Sequence, residues 1–296
     1  MAGRRAGECD CILHVLSVDS VSSVACGTHG TSESVATRLI ILIHPLDTAL
    51  VLGAAFVAGC IDAIVGGGGL IQLPALLGVY PETMPTTLLG TNKFASIFGT
   101  GNAAWRYSRH VAIPWRSLMP MMLLALVASA AGALLATRVP PQHYRPLVPV
   151  MLVTVLVIIL RNRHLGLDHQ PRSFSRTRYW IAIASIVAIG FYDGFFGPGT
   201  GSFFMFVFVR LYGYDFINAA ASARVLNVMT NLAAIIWFAA FAHILWLLGI
   251  AMAVSNIAGS ALGARLALNG GNPLIRRVFI AIVLILIART VWVSFA

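Results

Sequence analysis

From about residue 39 to the C-terminus the sequence repeats one pattern: an apolar run, a short polar or arginine-bearing connection, then another apolar run. A run of about twenty apolar residues crosses the hydrocarbon core of a bilayer as an α-helix. The other spanning structure that satisfies its own backbone in lipid is a closed barrel, whose strands are shorter and alternate in polarity. The chain therefore reads as an all-α polytopic membrane protein. Its charge agrees: 10% of the 296 residues are charged, against roughly 25% in a soluble domain. A soluble enzyme, a disordered chain and a secreted disulfide scaffold are excluded on that ground.

The formal net charge of +10 is almost all arginine, with Lys93 the single lysine. Most arginines sit in connections between apolar runs, where they orient helices and meet anionic lipid. A nucleic-acid surface would gather them on one soluble face among aromatics, and no such face is visible, so no nucleic-acid partner is expected. Four cysteines form no CxxC pair. Cys9-Asp10-Cys11 is too slight a signature for a metal site. Residues 1–37 are polar and rich in Ser and Gly, and read as a disordered N-terminal extension rather than a signal peptide.

The chain carries an internal repeat at an offset of 131 residues: Asp62 pairs with Asp193 (193 − 62 = 131), Gly66 with Gly197, Lys93 with Arg224, and Trp115 with Trp246. Ser129-Ala130-Ala131-Gly132-Ala133 returns as Ser260-Ala261-Leu262-Gly263-Ala264. Small-residue matches are cheap in membrane helices, but acidic, basic and tryptophan matches at one offset are not. The expected organisation is a first transmembrane repeat over 38–160, a basic cytoplasmic linker over 161–178 and a second repeat over 179–296. Apolar segments fall near 46–65, 70–80, 88–105, 117–137 and 147–160, then near 179–196, 202–213, 217–240, 244–268 and 278–295. The second segment of each half is too short to cross. It follows a glycine cluster, Gly66 to Gly69 or Gly197-Pro198-Gly199-Thr200-Gly201, where a helix breaks. Each first pair is thus read as a broken helix or re-entrant hairpin, giving about eight transmembrane helices in total.

Arginine placement sets the orientation. The linker with Arg161, Arg163, Arg172, Arg176 and Arg178 belongs in the cytoplasm, as does the connection with Arg106, Arg109 and Arg116. The equivalent connection after Ala239 has no arginine and falls outside, so the repeats come out inverted. If each short segment only prolongs the helix before it, the repeats are parallel instead.

Duplicated halves with interrupted helices and polar residues at the breaks point to a transport site. Half-helices beginning near Gly68, Gly69, Gly199 and Gly201 offer N-termini that favour anions, unless these glycines serve only close packing. A cation at mid-membrane costs about 2.5–3.5 kcal/mol or more, so Lys93 and Arg224 are expected to meet an anionic substrate or a carboxylate. Asn92 and Asn227 would complete hydrogen bonding to an oxyanion. Asp62 and Asp193 read as coupling or gating groups, or as salt-bridge partners of the two cations. If the cations hold the substrate, they face each other across the repeat axis. If they only neutralise aspartates, exchanging the charges of Lys93 and Asp62 should restore activity. No Walker A, HExxH or GxSxG motif is present, so no cofactor, metal ligand or catalytic residue is expected.

Gly59 to Leu70 with its Asp62 and glycine run, Leu89-Gly90-Thr91-Asn92-Lys93, the Trp105-Arg106-Tyr107 ending, and their second-half echoes around Asp193 and Arg224 resemble the sulfite exporter TauE/SafE family of membrane permeases. The resemblance covers nearly everything from about residue 45. It implies a multi-pass protein of the bacterial inner membrane that moves sulfite or another small organosulfur or organic anion. Arg224 stands where the family's second half often has another residue, which puts the particular substrate in doubt. The expected function is a secondary transporter of a small anion, with proton coupling and assembly with further copies left open. An anion channel, and a membrane-embedded lipid-processing or assembly protein, are the rivals.

Overall fold

The computed structural model describes residues 45–140, 142–143 and 176–295, with side chains placed as far as Val278 apart from Arg276. The N-terminal extension, the apolar segment at 147–160 and nearly all of the basic linker lie outside the described residues. Helices are α1 (Pro45–Val65), α2 (Gly69–Val79), α3 (Pro85–Ser108), α4 (Trp115–Arg138), α5 (Arg176–Phe195), α6 (Thr200–Val207), α7 (Phe216–Phe241) and α8 (Trp246–Phe295). A π-helical turn, Phe208–Tyr212, prolongs α6, and α8 is broken at Gly271, where φ is 65° and ψ −167°. No strand occurs among the described residues.

Four of these helices are long and apolar enough to cross a membrane by length and composition: Pro45–Val65, Trp115–Arg138, Phe216–Phe241 and Trp246–Ile275. Helix α3 is as long, at 24 residues, but buries Thr91, Asn92, Lys93 and Thr100. Helix α5 has 20 residues and carries Arg176, Arg178 and Asp193. Polar content, not length, separates these two from the other four. The ends of the elements follow local chemistry. Pro85 opens α3 at a position where no N–H is needed. Asp215 caps α7 by accepting from the Asn218 N–H at 2.8 Å.

The four helix starts of the second half follow those of the first at one spacing: Pro45 and Arg176, Gly69 and Thr200, Pro85 and Phe216, Trp115 and Trp246 each lie 131 residues apart (176 − 45 = 131). Packing follows the same spacing. Helix α1 lies against α8 and α5 against α4, while α3 lies against α8 and α7 against α4. The halves therefore interdigitate, and α3 and α7 meet at the centre. Small residues let the backbones approach. A Cβ on Gly263 would strike the Cys60 backbone, and one on Gly132 would strike the Phe191 backbone, the contact 131 residues away. Ser260 donates to the Gly99 carbonyl at 2.5 Å, and Ser129 donates to the Thr230 carbonyl at 2.7 Å. Outside this centre Leu50, Met119, Leu123, Val127, Ile236 and Val254 are exposed, an apolar girdle suited to lipid.

Candidate functional site

Both breaks lie where the halves cross. Helix α1 stops at Val65 because Gly66 takes φ 80°, and Gly197 takes φ 97° just after α5, a region costly for any residue with a Cβ. The breaks pack back to back. A Cβ on Gly66 would lie 2.5 Å from the Ser202 nitrogen, and one on Gly201 would lie 2.7 Å from the Gly66 Cα. One on Gly69 would lie 3.1 Å from the Pro198 Cα. Gly66, Gly69 and Gly201 thus serve this close approach, while Gly199, with φ 83°, precedes the first turn of α6.

Unwound backbone in a membrane needs partners, and the first break takes them from the second half. Ser202 donates its hydroxyl to the Val65 carbonyl at 2.6 Å and its N–H to the Gly66 carbonyl at 3.1 Å. Arg224, on α7, donates Nη2 to the carbonyls of Asp62 (2.6 Å) and Ala63 (2.8 Å), and Nη1 to Ala220 (2.8 Å). Its guanidinium lies 5.0 Å from the ring centre of Tyr107, whose hydroxyl also donates to the Ala63 carbonyl at 2.9 Å. A cation at the carbonyl end of α1 opposes the negative end of the helix dipole. Arg224 is buried and its Nε has no partner among the described residues.

Lys93 makes the reciprocal contact. Its Nζ lies 2.6 Å from Asp193 Oδ1, with the two side chains 3% and 1% exposed. Gly197 leaves room for it, since a Cβ there would fall 2.5 Å from Nζ. Asp62, the repeat partner of Asp193, meets neutral donors instead: Thr100 Oγ1 at 3.0 Å and the Gly68 N–H at 3.4 Å. Each cation thus reaches across to the opposite half, Lys93 to a carboxylate and Arg224 to main-chain carbonyls. A charge exchange that tests the ion pair therefore involves Lys93 with Asp193 rather than Asp62. Asn92 is buried with its Oδ1 unpartnered among the described residues, as is Asp193 Oδ2. Asn227 is buried on α7, and its carbonyl accepts from Thr230 Oγ1 at 3.1 Å.

The structure thus gathers Asp62, Gly68, Lys93, Asp193, Gly197 and Arg224 around the crossing, and adds Thr100, Tyr107 and Ser202. Lys93, Thr100 and Tyr107 fall at intervals of seven on α3, two helical turns apart and hence on one face. That spacing was available in the sequence. Ser202 had no such signal, because its repeat counterpart is Ile71.

The sulfite exporter TauE/SafE family profile matches residues 51–290. A probable membrane transporter protein of Sinorhizobium is 36% identical over 242 residues, 81% of this chain and 91% of the relative. One from Haemophilus influenzae is 33% identical over 82% of this chain and 94% of its own length. The probable membrane transporter protein YfcA of Escherichia coli is 30% identical over 86% and 93%. No solved structure matches the chain. Bacterial relatives and helical spans place this multi-pass protein in the inner membrane, since outer-membrane spans are β-barrels. The match runs through both halves, both breaks and both buried cations, and the chain belongs to the sulfite exporter TauE/SafE family of membrane transporters.

Proposed function

We propose that this transporter is a secondary carrier of a small oxyanion, sulfite or a small organosulfur anion, bound where the two helix breaks cross. The observation that carries the reading is the sealed Lys93–Asp193 ion pair at 2.6 Å, which joins the first half to the second. An oxyanion arriving at Lys93 competes with Asp193 for the same ammonium. The displaced carboxylate cannot stay charged and unpaired, because breaking a buried pair costs about 3–5 kcal/mol. It takes a proton or another partner, which links anion movement to proton movement. Arg224, Asn92, Asn227 and the ends of α2 and α6 at Gly68, Gly69, Gly199 and Gly201 are the remaining proposed contacts, with Asp62 and Asp193 as coupling groups.

The chain is read as two inverted repeats with about eight crossings in all. The equal spacing of helix starts and the paired contacts support a duplication. The arginine distribution supports the inversion. A carrier of this kind shows saturable uptake of labelled sulfite in proteoliposomes, stimulation by sulfite on the far side, and dependence on a proton gradient. Flux that rises without saturation and ignores far-side sulfite would instead identify a channel.

A further inference from the structure

We infer that Gln72 and Asn256 form an oxyanion-binding corner beside the first break, in which the Gln72 amide donates to an oxygen of the transported anion. The inference rests on the anion-transport reading above and adds to it a donor and a specificity determinant. Gln72 is 1% exposed and Asn256 2%. Asn256 Nδ2 donates to the Ala55 carbonyl at 3.2 Å and to Gln72 Oε1 at 2.8 Å. The direction of this chain is forced. A main-chain carbonyl only accepts, so Asn256 must turn its NH2 toward Ala55. Gln72 must then present its oxygen to Asn256 and turn its own NH2 away. That Nε2 is buried and has no partner among the described residues.

Gln72 stands in the first turn of α2, an 11-residue helix. Side chains on a helix lean toward its N-terminus, so the amide heads back toward Gly68 and Gly69. There the helix end carries partial positive charge. Asn256 extends the corner toward Asp62: a Cβ on Gly99 would strike Asn256 Oδ1, and the next residue, Thr100, donates to Asp62 Oδ2 at 3.0 Å. A fixed NH2 beside a helix N-terminus selects a ligand atom that only accepts, the oxygen of a sulfite, sulfonate or carboxylate. At the 131-residue offset Gln72 corresponds to Phe203, and Asn256 to Ala125. The second half has no such corner, so the chain holds one anion rather than two related by the repeat.

The test is anion affinity of the purified full-length protein in detergent, by titration calorimetry with sulfite, sulfate, methanesulfonate and acetate. Gln72→Glu keeps the oxygen that Asn256 holds and replaces the free donor with an acceptor. It should lower affinity for whichever anion the wild type binds by roughly tenfold to hundredfold, the worth of a hydrogen bond to a charged group. Asn256→Asp removes the donor that orients Gln72, so the amide turns round and affinity should fall as far although Gln72 is intact. Should Gln72→Glu fail to fold, Gln72→Met removes the donor without adding charge and carries the same expectation. Affinity within twofold of wild type in a folded Gln72 variant, or two anions bound per chain, overturns the inference. A wild type that binds none of the four anions overturns the transport reading beneath it.

Discussion

Replacing Lys93 by Met should destabilise the protein far more than replacing Lys93 and Asp193 together. Lys93 Nζ and Asp193 Oδ1 are 2.6 Å apart, both sealed from solvent, and Asp193 Oδ2 already lacks a partner among the described residues. Lys93→Met therefore strands a buried carboxylate with neither oxygen paired. Removing one member of such a pair costs about 3–5 kcal/mol, whereas replacing both by neutral groups of similar volume is close to neutral. At about 2–4 °C per kcal/mol for a chain of this size, Lys93→Met should melt roughly 10 °C below wild type. Lys93→Met with Asp193→Asn should recover most of that loss. The assay is thermal unfolding of detergent-purified protein followed by fluorescence-detected size exclusion. Equal melting of the single and double variants would refute the reasoning, because it would mean that the two charges do not depend on each other.

The crossing of the breaks predicts that Gly66→Ala yields little folded protein, since the added Cβ meets the Gly201–Ser202 backbone at φ 80°. Gly78→Ala, with open space at its Cβ, should express and melt as wild type. The paired serine bonds predict that Ser129→Ala and Ser260→Ala each cost about 1 kcal/mol, read as melting shifts of similar size; a shift in one alone would show that the two halves are not equivalent there. Inverted repeats predict that reporters fused after Arg109 and after Arg172 both read cytoplasm, and that one after Phe241 reads the outside. A cytoplasmic signal at Phe241 would favour parallel repeats.

Much of this fold was legible because apolar runs and glycine breaks are local features. The segments read at 46–65, 117–137 and 217–240 match α1, α4 and α7 to within a few residues, and both breaks fall at the glycine clusters. The polar residues of the crossing were legible too, since a charge inside an apolar run is costly wherever the run goes. Their partners were not. That Lys93 reaches Asp193 rather than Asp62 depends on how the halves interdigitate, which no spacing along one half encodes. Arg224 reads in sequence as a cation seeking an anion, yet its guanidinium is spent on carbonyls that exist only because α1 unwinds. Gln72 and Asn256 escaped for the opposite reason. Looking for residues that recur at 131 selects what the halves share, and these two are where the halves differ.

The central claim is that a small anion is carried at the Lys93–Asp193 crossing, and counterflow of labelled sulfite in proteoliposomes tests it most directly. Vesicles preloaded with unlabelled sulfite should transiently accumulate label with wild-type protein. Vesicles holding Lys93→Met with Asp193→Asn, shown folded by its melting curve, should not. Accumulation by the double variant at the wild-type rate would contradict the account, as would a wild type that equilibrates label no faster than empty vesicles.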